Sequence, residues 1–155
     1  MAMPRGKEIS ALETHLGYWL RMVSNHVSQA FGQKVTAEGV TVAEWVVLRT
    51  LHATGTATPS RVAVEMRMTR GAISKLVDRL VAKALVSRTV SGGDRRWQDI
   101  ALTSKGRAMV PRLAALADDN DREFFGPLAA GERAELERIL KKIVRARDIE
   151  TVPVD

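Results

Sequence analysis

The chain has 155 residues, 45% of them apolar and 27% charged, with a formal net charge of +6 and no cysteine. That length and balance fit one compact domain, or two lobes sharing a core, and exclude wholesale disorder and collagen-like repeats. No apolar run approaches the ~18 residues of a membrane span, the opening residues lack a secretory pattern, and the missing cysteine removes disulfides and thiolate zinc sites. The expectation is a cytoplasmic protein with no membrane partner. The charge is unevenly divided. Residues 1–60 carry five Lys/Arg against four Asp/Glu, residues 61–112 twelve against four, and residues 113–155 seven against ten. A basic middle third between a near-neutral and an acidic end is the footprint of a polyanion partner. A solvated basic surface would look the same, so charge needs a motif beside it.

In chain order, a first helix is predicted over residues 8–35, with Ile9, Leu12, Leu16, Trp19, Leu20, Val23, Val27, Ala30 and Phe31 on one stripe. Gly39 breaks it. Thr41, with Glu44 three residues on, forms a capping box for a second helix carrying Val42, Trp45, Val46, Leu48 and Leu51, and ending near Thr54-Gly55. Thr58-Pro59 starts a short third helix, where proline at the first position loses nothing by lacking its N–H. After a three-residue break near position 67, Thr69 caps a fourth helix over residues 70–83. Two β-type runs, 85–90 and 97–102, flank a turn-rich tip and read as a hairpin. Thr103 caps a fifth helix reaching Phe125, Gly126-Pro127 stops it, and a sixth spans residues 130–147.

Helices three and four carry the chemistry. At 100° per residue, Ile73, Leu76, Val77, Leu80 and Ala84 share one face of the fourth helix, and Val62, Ala63 and Met66 of the third supply its partner. Two short helices joined by a tight turn are a helix-turn-helix unit, whose second helix enters the DNA major groove with its N-terminal residues leading. Gly71, Ser74, Lys75, Asp78 and Arg79 lie on the outer side, and all of these but Asp78 are candidate DNA contacts. Arg70 and Lys75 are long cationic donors, Ser74 pairs with several bases, and Gly71 permits close backbone approach. Thr69 and the free N–H groups behind it suit a phosphate, as do Ser60 and Arg61 at the start of the third helix. In the hairpin tip, Arg95 and Arg96 are placed to enter a narrow minor groove, and Asp94 to pair with an arginine and set the tip's shape. Trp97 reads as a cross-strand packing residue.

Thr69-Arg70-Gly71-Ala72-Ile73-Ser74-Lys75-Leu76-Val77-Asp78-Arg79-Leu80, followed by Asp94-Arg95-Arg96 and then Leu102-Thr103, resembles the multiple antibiotic resistance regulator (MarR) family of bacterial transcription factors. The element order extends the resemblance over nearly the whole chain. It implies a mainly α fold with a small β-hairpin wing, in which a winged helix-turn-helix over 41–102 is flanked by dimerisation helices over 8–40 and 103–150. It further implies a homodimer on a pseudo-palindromic operator, base contacts from the start of the fourth helix, and minor-groove insertion by Arg96. In two places the chain departs from the family's pattern: Arg67 and Ala84 stand where glycine is usual. A left-handed backbone at either costs ~1 kcal/mol without glycine.

Other chemistries are poorly represented. His15 and His26 share a helix face but lie ~16 Å apart along it, too far for one metal ion, and neither metal nor other cofactor is expected. No G-x-S-x-G elbow or paired-carboxylate cleft supports an enzyme, the remote alternative. By analogy with the family, His15, Trp19, Met22, Trp45 and Arg49 are candidates to line a pocket for a small, often aromatic effector; core or dimer packing is the plainer role for Trp19, Met22 and Trp45. The amphipathic first, fifth and sixth helices exceed what the small DNA-reading lobe covers, which argues for a dimer. The expected function is a homodimeric, effector-released repressor; a constitutive or architectural DNA binder without effector is the alternative.

Overall fold

A computed structural model describes residues 8–90, 98–151, 153 and 154. Among these, the first predicted helix is divided. Leu12–Thr14 form a single 3₁₀ turn, His15 is extended, and α1 runs Leu16–Ala37. Local side-chain bonds compete with the helix here: the Thr14 hydroxyl donates to Ala11 O (2.6 Å) and the Trp19 indole to Glu13 O (2.9 Å). The expectation of helix from residue 8 is therefore corrected to a start at Leu16. Beyond Gly39, α2 (Val42–Thr54) opens on the capping box, with Thr41 and Glu44 exchanging two 3.1 Å hydrogen bonds.

A two-residue strand, β1 (Thr56–Ala57), follows, which the sequence did not signal because two residues hold no alternation. It pairs antiparallel with Ala101 and Ile100. Thr58 caps α3 (Pro59–Met66) by accepting from Arg61 N, and Thr69 caps α4 (Arg70–Ala82) by accepting from Ala72 N. β2 (Val86–Val90) and β3 (Gln98–Leu102) pair antiparallel, giving the sheet order β1-β3-β2. The hairpin tip, with Asp94, Arg95, Arg96 and Trp97, lies outside the described residues. Thr103 caps α5 (Ser104–Phe125), and α6 (Ala130–Ala146) begins with Ala129 N–H donating to Glu132.

The core gathers Val47, Leu48 and Leu51 of α2, Val62 and Met66 of α3, the inner face of α4, and Ile100 of the sheet against Val110 and Leu113 of α5. Lys34 ties α1 to α5 by donating to buried Asn120 (2.8 Å) and pairing with Glu123 (2.5 Å). Ala84 does not join the inner face of α4 as the helical wheel suggested. It sits past the helix end, exposed, with φ of +58°. Leu85 takes over the burial, and the start of α5 closes on this junction. Thr103 N–H donates to Leu85 O (3.1 Å), its hydroxyl to Ala84 O (2.7 Å), and Lys105 to Lys83 O (3.1 Å). Gly106 makes the approach possible, because a Cβ there would lie 2.1 Å from Leu85 O. By contrast, α6 buries no residue, and the outer half of α1 leaves Leu16, Trp19, Leu20 and Val23 exposed. Among the described residues, no helix is long and apolar enough to cross a membrane.

Candidate nucleic-acid interface

The two faces of α4 separate cleanly. Ile73, Leu76, Val77 and Leu80 are buried, whereas Arg70, Gly71, Ser74, Lys75, Asp78 and Arg79 are exposed. Apolar burial against Val62, Ala63 and Met66 of α3 holds the helix by one side and leaves the other exposed. Thr69 spends its hydroxyl oxygen on the Ala72 N–H, so capping and any contact with a nucleic acid share one group. The first turn of α4 contains no acidic residue, and its remaining N–H groups and Arg70 present a positive end.

Ser60 and Arg61 lie in the first turn of α3. Arg61 is exposed and donates from Nε to Glu65 (3.1 Å), which leaves its two terminal nitrogens to other acceptors. Arg67, between the helices, adopts a left-handed backbone (φ +50°, ψ +42°) and pairs with Glu150 of the C-terminal segment at 2.5 Å. The hairpin is braced by Arg88 of β2 on Asp78 of α4, so strand and recognition helix are tied together below the tip. The sequence did not suggest that pair, because its members lie ten positions apart on two different elements. Arg79 is also engaged, its Nε 3.5 Å from the carboxylate of Glu44 on α2.

The five residues named for an effector pocket are not brought together within the chain. Trp45 lines a cleft of about 290 Å³ between α1, α2 and α5, with Phe31, Val42, Val46, Asn120 and Pro153. His15 and Met22 line a separate depression of about 600 Å³ along the start of α1, with Tyr18, Arg21 and His26. Trp19 and Arg49 line neither. His15, Trp19 and Met22 lie at the outer half of α1, where Leu16, Trp19, Leu20 and Val23 are exposed among the described residues. Among the described residues, no cluster of His, Asp and Glu has the geometry of a metal site.

A capped, half-buried recognition helix behind a short partner helix, followed by a braced β-hairpin, defines a winged helix-turn-helix DNA-binding protein. A family model described as the MarR family matches residues 38–96, from the turn before α2 into the wing. The chain is 31% identical over 137 residues to the transcriptional regulatory protein for the hcr operon of Thauera aromatica, covering 88% of this chain and 82% of that one. It is also similar to two solved structures. A MarR variant from Escherichia coli complexed with operator DNA superposes with a TM-score of 0.73 at 29% identity, covering 87% of this chain and 99% of that one. Bordetella bronchiseptica BpsR, whose DNA binding is regulated by 6-hydroxynicotinic acid, superposes with a TM-score of 0.75 at 25% identity, covering 88% and 99%. The chain belongs to the MarR family, as its recognition helix and wing led us to expect, and is a DNA-binding transcriptional regulator.

Proposed function

We propose that the protein is a homodimeric repressor of a pseudo-palindromic operator, released by a small aromatic effector. The observation that carries this reading is the free outer face of α4, where Gly71, Ser74 and Lys75 stand exposed over a fully buried apolar face. In the reading, Arg70, Ser74 and Lys75 address base edges, while Ser60, Arg61 and Thr69 hold phosphates. Arg95 and Arg96 enter the flanking minor groove, and Asp94 shapes the wing. Residues 41–102 form the DNA-reading unit and residues 8–40 with 103–150 the dimerisation region. Two exposed apolar stripes support the dimer: Leu12, Leu16, Leu20 and Val23 before and along α1, and Ile139, Ile143, Val144 and Ile149 on and beyond α6. A two-fold pair would present its recognition helices about one DNA turn apart.

The cleft around Trp45 supports the effector, being mainly apolar, aromatic and lined by α2, which Glu44 ties to the end of α4. That BpsR responds to 6-hydroxynicotinic acid supports an aromatic acid as the ligand class. The test has two stages. Selection from a random duplex pool is expected to return an inverted repeat with half-sites about one turn apart. A panel of small aromatic acids is then expected to contain one that both shifts the thermal midpoint saturably and releases the selected duplex. Selection of a single asymmetric site would remove the dimer reading. A duplex that no ligand releases would leave the constitutive binder.

A further inference from the structure

Glu44 is the most deeply buried charge among the described residues, with its side chain 1% exposed. Half of its role is local, since Oε2 accepts the Thr41 N–H of the capping box at 3.1 Å. The same oxygen also accepts from Lys83 Nζ at 2.7 Å, at the end of α4. Lys83 in turn donates to Gly39 O at 2.8 Å, in the turn between α1 and α2. Oε1 has no hydrogen-bond partner, and Arg79 Nε stands 3.5 Å from it. One carboxylate on α2 therefore holds the end of the recognition helix, and Lys83 extends the tie to the turn before α2.

The arrangement matters because of where Lys83 and Arg79 lie. Residues 71, 75, 79 and 83 form one i, i+4 row along α4. The first two are on the reading half and the last two are the ones tied to Glu44. The apolar face beneath resists separation but is non-directional, so it opposes roll of the helix weakly. A charge-assisted hydrogen bond at 2.7 Å is directional. A roll of ~20° carries a side-chain tip ~6 Å from the axis through ~2 Å, several times the ~0.5 Å width of a hydrogen-bonding range. The roll of α4 thus decides whether Lys75 meets a base edge.

We infer that Glu44 is a positioning residue for sequence reading: it fixes the roll of α4 through Lys83 and Arg79, and Arg79 acts through Glu44 and not on a DNA phosphate. This rests on α4 being the reading helix. The expectation from sequence, which put Arg79 among the DNA contacts, is thereby replaced by a role inside the protein.

The test uses the full chain and a duplex selected by the wild type, with a scrambled duplex beside it, followed by fluorescence anisotropy across a salt series. Glu44→Gln keeps an acceptor for Thr41 and removes the charge; Lys83→Met removes the partner and keeps the stem. Both are expected to lower the selected-over-scrambled ratio about tenfold, with scrambled-DNA affinity and salt slope unchanged. Lys83→Arg is expected to restore the ratio. Arg79→Met should lower the ratio with the slope unchanged, and combining it with Glu44→Gln should add little. A slope reduced by about one in Arg79→Met would put that arginine on a phosphate and overturn the inference. An unchanged ratio in Lys83→Met or Arg79→Met would overturn it equally, and those two half-exposed sites remain informative if Glu44→Gln does not fold. Should the wild type select no sequence at all, the reading-helix assignment fails before the positioning role is reached.

Discussion

Arg67 and Ala84 both hold left-handed backbones, at φ of +50° and +58°, in the two turns that bound the recognition helix. A side chain in that region costs about 1–2 kcal/mol, and glycine relieves it while giving back about 0.5–1 kcal/mol of unfolded-state entropy. Ala84→Gly is therefore expected to stabilise the fold by up to about 1 kcal/mol in chemical denaturation. Arg67→Gly should gain less, because it also gives up the half-exposed pair with Glu150, worth about 0–1 kcal/mol. A loss of stability in Ala84→Gly would mean that the alanine methyl contributes more than its backbone costs. Both positions stood out in the sequence only through the resemblance. Nothing in their local pattern states the sign of φ, which the paths of the neighbouring elements set.

At the scale of elements, the division of α4 into a packing face and a reading face makes separable predictions. Ser74→Ala and Lys75→Ala are expected to lower preference for operator over random DNA, each by about 1–3 kcal/mol, with stability unchanged because both side chains are exposed. Arg96→Ala is instead expected to weaken binding to all sequences and to reduce the salt slope by about one. Salt-dependent titrations on both duplexes distinguish the two patterns; a slope that stays constant in Arg96→Ala would remove the wing from the interface. The elements themselves were largely legible. Thr41, Thr58, Thr69 and Thr103 each cap the helix expected of them, and the turn at Arg67 falls between α3 and α4. Caps and helical stripes are encoded within a few residues. β1 was not legible, since Thr56 and Ala57 become a strand only by meeting β3 more than forty positions away. The start of α1 was obscured for a related reason: the stripe from Ile9 to Leu16 has helical spacing, but it stands exposed among the described residues.

For the whole molecule, that uncovered stripe is the central physical problem. Leu16 and Leu20 on α1 and Ile143 and Val144 on α6 are exposed beyond what a lone chain in water favours. A charge placed in either stripe would have to be buried if these faces meet a second copy. Leu20→Glu and Ile143→Glu are each expected to shift light-scattering mass toward the monomer and to reduce operator affinity steeply, because one recognition helix would be left to bind alone. A monomeric wild type would sink the dimer reading at once.

By itself, the sequence determined the helix-turn-helix, its caps, the inward row of α4 and the concentration of positive charge around it. Each of these depends on spacing over a turn or two of helix, or on side-chain chemistry alone. Tertiary structure decided which charges are free. Arg79 meets Glu44, Arg88 meets Asp78, and Arg67 meets Glu150, all across sequence gaps that local spacing does not bridge. It also placed Trp45 apart from His15 and Met22, although all three lie on helices the sequence located. Local spacing tells a residue which side of its helix it occupies; only the packing of helices against one another decides what stands opposite.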